Sequence, residues 1–166
     1  MLNNSVIRIF TPRVCYSSIG DIKYVIDFNK NLERIIYTGV KPRDMSNRRY
    51  ELFTIVNALE YVMQNIVDIN TSTIKSNTVE IYTSCLYIFN VFKNKTINKW
   101  LLQAFLTNDG KYVENRDLWK KLLNFKQIFN IELIYIQARC VNVCKVGVLG
   151  NYDNVIKERL KIWIKD

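Results

Sequence analysis

Glu51 follows Arg48-Arg49-Tyr50 at the head of a stretch whose apolar residues recur at helical spacing. That spacing puts a carboxylate in the first turn of a helix, with two guanidinium groups beside it. Such a carboxylate either joins the oxygen ligands of a hard divalent cation or serves the helix N-terminus and an ion pair. In the second case Glu51→Gln costs at most about 1 kcal/mol. The chain has no histidine, so the usual general base near neutral pH is missing. Cys15, Cys85, Cys140 and Cys144 are the soft ligands available, and a structural zinc needs four thiolates or imidazoles close together. Only Cys140 and Cys144 are near each other in sequence, so no metal site is expected there. Without secretory features, reduced thiols in an intracellular, reducing compartment are expected, either cytoplasm or nucleus.

Basic side chains outnumber acidic ones 24 to 15, a net charge of +9 in 166 residues. This surplus favours a polyanion such as nucleic acid, through weak binding that falls away as salt rises. The clusters are Lys41-Pro42-Arg43 with Arg48 and Arg49, Lys93-Asn94-Lys95 with Lys99, Lys120-Lys121, and a tail of Lys157, Arg159, Lys161 and Lys165. Interleaved tyrosines and phenylalanines can stack on bases, but at strand spacing they are more often core residues. A basic surface that only keeps the protein soluble has the same composition.

The elements that must position these groups follow from periodicity. A chain of 166 residues, 49% hydrophobic, makes one domain with a sizeable core. No apolar run is long enough to cross a membrane, and Met1-Leu2-Asn3-Asn4-Ser5 lacks the apolar stretch of a signal peptide. Ile, Asn, Lys and Tyr dominate, a composition associated with AT-rich genomes, including those of viruses. Residues 5–11, 23–29 and 34–39 have strand character and form a meander. A helix over 49–68 carries Leu52, Ile55, Val56, Leu59, Val62, Met63 and Ile66 on one face. Then come a buried strand at 79–83, helices at 86–93, 97–106 and 116–128, a strand at 132–137 and a closing helix at 151–165. Asn115 suits the N-cap of the 116–128 helix. The order implies an α/β domain with a five-stranded mixed sheet, antiparallel then parallel, and helices on both faces.

Six segments carry a family pattern: Ile9-Phe10-Thr11-Pro12-Arg13-Val14-Cys15, Asn47-Arg48-Arg49-Tyr50-Glu51-Leu52 followed by Asn57-Ala58-Leu59-Glu60, Tyr82-Thr83-Ser84-Cys85, Asn115-Arg116-Asp117-Leu118-Trp119, Ile134-Tyr135-Ile136-Gln137-Ala138-Arg139, and Gly150-Asn151-Tyr152-Asp153-Asn154-Val155. Together they resemble the type 1 ribonuclease H family over most of the chain. The resemblance implies the ribonuclease H-like fold and cleavage of the RNA strand of an RNA–DNA hybrid by two divalent ions. It also implies four carboxylates holding those ions. This sequence matches the family glutamate at Glu51 and has Pro12, Ser84 and Val155 at the other three positions, with Arg139 where the family has its loop histidine. One carboxylate cannot neutralise two magnesium ions brought within about 4 Å of each other. Asp153 or Asp21 could substitute only through a register shift. The expectation is therefore a catalytically inactive domain that needs no cofactor, with Mg2+ required only if a rearranged site is active.

In the family fold Cys15 and Cys85 lie on adjacent central strands and pack as small apolar residues. Asn47 resembles a minor-groove contact and Trp100 a residue of the family's basic handle, while Leu86 replaces a polar residue. The handle carries Leu101, Leu102, Ala104 and Phe105 where the family usually has lysines and arginines. These residues either close the helix onto the sheet or present an apolar patch to a protein. Asn47, Arg48, Arg49, Lys93, Lys95, Lys99, Trp100 and Phe105 are thus the candidate nucleic-acid or partner contacts. The function implied is a binding or scaffolding subunit of a larger nucleic-acid-handling complex. The alternatives are a stand-alone binder of hybrid or structured RNA, and an active ribonuclease H with a rearranged metal site.

Overall fold

A computed structural model of the chain describes residues 6–11, 22–28, 33–38, 41–65 and 78–136. Three strands, β1 (Val6–Phe10), β2 (Ile22–Phe28) and β3 (Glu33–Thr38), form the meander and are followed by helix α1 (Asn47–Asn65). Strand β4 (Thr78–Thr83), helices α2 (Leu86–Lys93), α3 (Thr96–Leu102) and α4 (Arg116–Ile128), and strand β5 (Asn130–Tyr135) complete the described elements. The sheet runs β3-β2-β1-β4-β5. Strand β1 is antiparallel to β2, with Ile9 opposite Ile26, and parallel to β4, with Ile9 opposite Ile81. Strand β5 adds to β4 in parallel, Leu133 opposite Ile81. Parallel neighbours need long crossovers, and the helices supply them.

Strand alternation assigns the two faces of the sheet. Ile7, Ile9, Tyr24, Ile26, Val79, Ile81 and Ile131 point toward the helices and join Leu52, Ile55, Leu59, Ile88, Ile97, Trp119 and Leu122 in one buried cluster. Burying each aliphatic side chain in such a cluster stabilises the fold by about 1.5–3 kcal/mol. Phe10, Val25, Tyr82, Ile134 and Ile136 form a separate cluster, with Phe10 stacked on Tyr82 at 4.8 Å between ring centroids. There the Tyr82 hydroxyl donates to Glu80 Oε2 (2.8 Å), which also pairs with Arg8 Nε (3.0 Å). The helix expected at 151–165 lies outside the described residues, as do Ile66 and the clusters at 140–144 and 157–165.

Strand and helix positions agree with the sequence expectation to within about three residues except at α3, which stops at Leu102 instead of continuing to Leu106. The Phe105 amide donates to the Trp100 carbonyl and the Ala104 amide to the Leu101 carbonyl. Ala104 (φ 51) and Phe105 (φ 60) are in the left-handed region. This is a Schellman C-terminus with alanine at the position glycine usually takes. Periodicity alone carries the helix further because no glycine marks its end. None of the described helices is long and apolar enough to cross a membrane.

Candidate functional site

Helix α1 begins at Asn47, two residues before the expected start, so Glu51 falls in its second turn and not its first. The Glu51 side chain is turned inward and is 1% exposed. Thr11 and Thr83, one just past β1 and the other closing β4, continue the helix-facing registers of Ile7–Ile9 and Val79–Ile81. Both hydroxyls donate to Glu51 Oε1, at 2.5 and 3.0 Å. Thr83 Oγ1 also accepts from the Cys85 amide at 3.1 Å, and Thr54 donates to the Glu51 carbonyl at 2.8 Å. The expectation of a helix-end carboxylate is corrected: burial against two strand ends makes Glu51 a link between α1, β1 and β4. Sequence spacing singles out neither threonine, although each directly precedes a position, Pro12 or Ser84, that the resemblance aligns with a family carboxylate.

Ser84 is 8% exposed, and its Oγ has no hydrogen-bond partner among the described residues. Pro12, Arg139, Asp153, Val155 and Asp21 lie outside the described residues. Two magnesium ions call for several anionic oxygens with room for water. Among the described residues no three His, Cys, Asp or Glu side chains gather into a group able to hold a metal ion. Among the described residues, a buried carboxyl group engaged by two hydroxyls and the neutral Ser84 that follows Thr83 do not by themselves supply those oxygens.

Arg49 faces away from this centre. Its guanidinium donates to both Asp117 oxygens (3.0 and 2.7 Å) and to Asn115 Oδ1 (3.1 Å). The Arg49 hydrogen bonds hold the Asp117 carboxyl below the usual carboxylate range, and Asp117 raises Arg49 in turn. Asn115 does occupy the N-cap of α4, but in a left-handed conformation (φ 58) and without a side-chain capping bond. Its side-chain oxygen accepts from Arg49 instead. Asn47 Oδ1 accepts from Lys41 Nζ at 2.7 Å. Arg48 lies 4.8 Å over the half-buried Tyr87 ring, whose hydroxyl is pushed up by burial and then by the charge of Glu114. Tyr87 meets Trp119 edge-on at 6.2 Å, and Trp119 meets Trp100 at 5.7 Å. A line of ring contacts therefore joins the basic start of α1 to the handle, a connection that sequence spacing did not reveal.

Within the handle, Lys93, Lys95 and Lys99 are exposed and Trp100 is half-buried. Lys93 Nζ sits 5.5 Å from the Phe89 ring centroid. Phe105, expected as a surface contact, is 1% exposed and belongs to the core. The reversal after α3 turns its side chain inward, so the exposed large apolar residues of α3 itself are Leu101 (56%) and Leu102 (88%).

An antiparallel meander continued by parallel strands, with helices α1, α2 and α4 packed against the sheet, defines a ribonuclease H-like domain. The chain belongs to the ribonuclease H family, whose RNase H model matches residues 6–143. It is 25% identical over 170 residues to the ribonuclease H of Caldanaerobacter subterraneus subsp. tengcongensis, covering 99% of this chain and 97% of that protein. A 97-residue match to the Prosthecochloris aestuarii ribonuclease H is 30% identical and covers 58% of this chain and 59% of that one. Among solved structures, the PFV RNase H domain in solution is similar, with a TM-score of 0.51 at 12% identity, covering 93% of this chain and 90% of that one. At that identity the likeness shows the fold alone.

Proposed function

We propose that this ribonuclease H-family domain does not hydrolyse RNA–DNA hybrids and acts as a binding or scaffolding subunit in a nucleic-acid-handling complex. The observation that carries this reading is the state of Glu51, buried and hydrogen-bonded to Thr11 and Thr83 where the family uses a metal ligand. Ser84 beside it offers a neutral hydroxyl where the family pattern has a second carboxylate. Without paired ions, neither the attacking water nor the leaving oxygen is activated. The exposed Lys93, Lys95 and Lys99 favour a second reading, a stand-alone binder of hybrid or structured RNA.

The test is incubation of the purified protein with a labelled RNA–DNA hybrid in magnesium and in manganese. No cleavage is expected in either. Metal-dependent cutting that Glu51→Gln abolishes would establish a rearranged active site instead. Size-exclusion mass measurement, alone and with native lysate, separates a complex subunit from a stand-alone binder.

A further inference from the structure

The inner side of α3 is fully accounted for. Ile97 is buried, and Trp100 packs edge-on against Trp119. The outer side carries Asn98, Lys99, Leu101 and Leu102, all exposed, with Lys95 at the N-cap. Leu102 lies one turn beyond Lys99, so the cation and the barest leucine share a line along the helix. No aspartate or glutamate occurs between Glu80 and Asp109, so no acidic residue of the same stretch balances Lys93, Lys95 and Lys99.

Two neighbouring leucines at 56% and 88% exposure favour a partner that removes apolar surface from water. The lysines beside them favour a negative one. A nucleic acid satisfies the charge but not the leucines, because its backbone is polar and its bases stack on aromatic rings. A second copy of this chain meets the patch with the same surplus of positive charge. An acidic protein segment with aliphatic anchors satisfies both requirements.

We propose that the outer face of α3 docks an acidic helical segment of a partner protein, its leucine-type side chains on Leu101 and Leu102 and its carboxylates on Lys95 and Lys99. This deepens the binding reading above and rests on it. Such helices present anchors at i, i+3, i+4 and i+7.

The probe is a fluorescein-labelled synthetic helical peptide with leucines at that spacing and glutamates between them, followed by anisotropy. The proteins compared are wild type, Leu101→Ser/Leu102→Ser and Lys95→Glu/Lys99→Glu, each shown to be folded by circular dichroism. Both variants are expected to bind the peptide at least about tenfold more weakly. A labelled hybrid duplex is expected to lose affinity only with the lysine variant. A peptide that fails to bind wild type, or binds all three proteins alike, overturns the proposal. So does a wild-type dimer that the leucine variant converts to monomer. Hybrid cleavage with peptide binding by wild type intact sinks only the non-hydrolytic reading, whereas failure of wild type to bind the peptide, without cleavage, sinks only the docking surface.

Discussion

Glu51 accepts hydroxyl donors from two different strand ends, so replacing its carboxyl group tests packing as much as chemistry. Leaving a buried hydrogen-bonding group without its partner costs about 1–3 kcal/mol, more than the loss of an exposed ion pair. Glu51→Gln is accordingly expected to lower unfolding free energy by about 1–3 kcal/mol in urea melts, beyond the limit that a helix-end role sets. A loss well under 1 kcal/mol would return Glu51 to that role. Ser84 gives the opposite sign. Its buried hydroxyl has no partner among the described residues, so Ser84→Ala is expected to be neutral or stabilising by up to about 1 kcal/mol. A clear destabilisation would show that the hydroxyl makes a bond. The serine's place in the family motif was legible in the sequence, but its burial was not, because motif spacing carries no information about what covers a side chain.

The ends of elements were less legible than their existence. Alternation in β1 and β4 and the spacing in α1 each reflect one buried face, which composition records directly. The end of α3 depends on two residues at positive φ that no glycine announces. Ala104→Gly is expected to stabilise the fold by about 0.5–1 kcal/mol, since alanine pays a steric cost in the left-handed region. A decrease in thermal midpoint would argue against that turn. The Arg49–Asp117 pair, which ties α1 to α4, is a second element-level test. Asp117 has a depressed carboxyl, so its contribution is present above the unfolded carboxylate value and is lost as pH falls through the folded one. Arg49 is raised above an already high value, so it stays charged across this range and the protonation of Asp117 alone sets the loss in acid. Both side chains are more than a third exposed, which screens the pair to about 0.5–1 kcal/mol despite the two-pronged geometry. Asp117→Asn should therefore cost about that much at neutral pH, with wild-type and variant melts converging below about pH 4. Curves that stay parallel into acid would assign the effect to packing.

At the scale of the molecule, the net charge of +9 sets a long-range attraction to polyanions, whereas the distribution of cations decides where they bind. Arg49 is paired with Asp117 and Lys121 with Glu60, which occupies those two cations within the fold and leaves the surplus to others. Lys93 at the end of α2, Lys95 at the N-cap of α3 and Lys99 on α3 are exposed, in a stretch with no acidic side chain. Each lysine that meets a phosphate releases a counterion, so the logarithm of affinity falls linearly with the logarithm of salt. If all three meet phosphates, Lys93→Ala/Lys95→Ala/Lys99→Ala should make the slope for an RNA–DNA hybrid shallower by about 2–3, from about 0.9 per contact. Leu101→Ser/Leu102→Ser should leave that slope unchanged, because an aliphatic side chain displaces no counterion. Anisotropy titrations across a salt series measure both. An unchanged slope in the lysine variant would move phosphate contact to the other basic clusters and reserve the handle for protein.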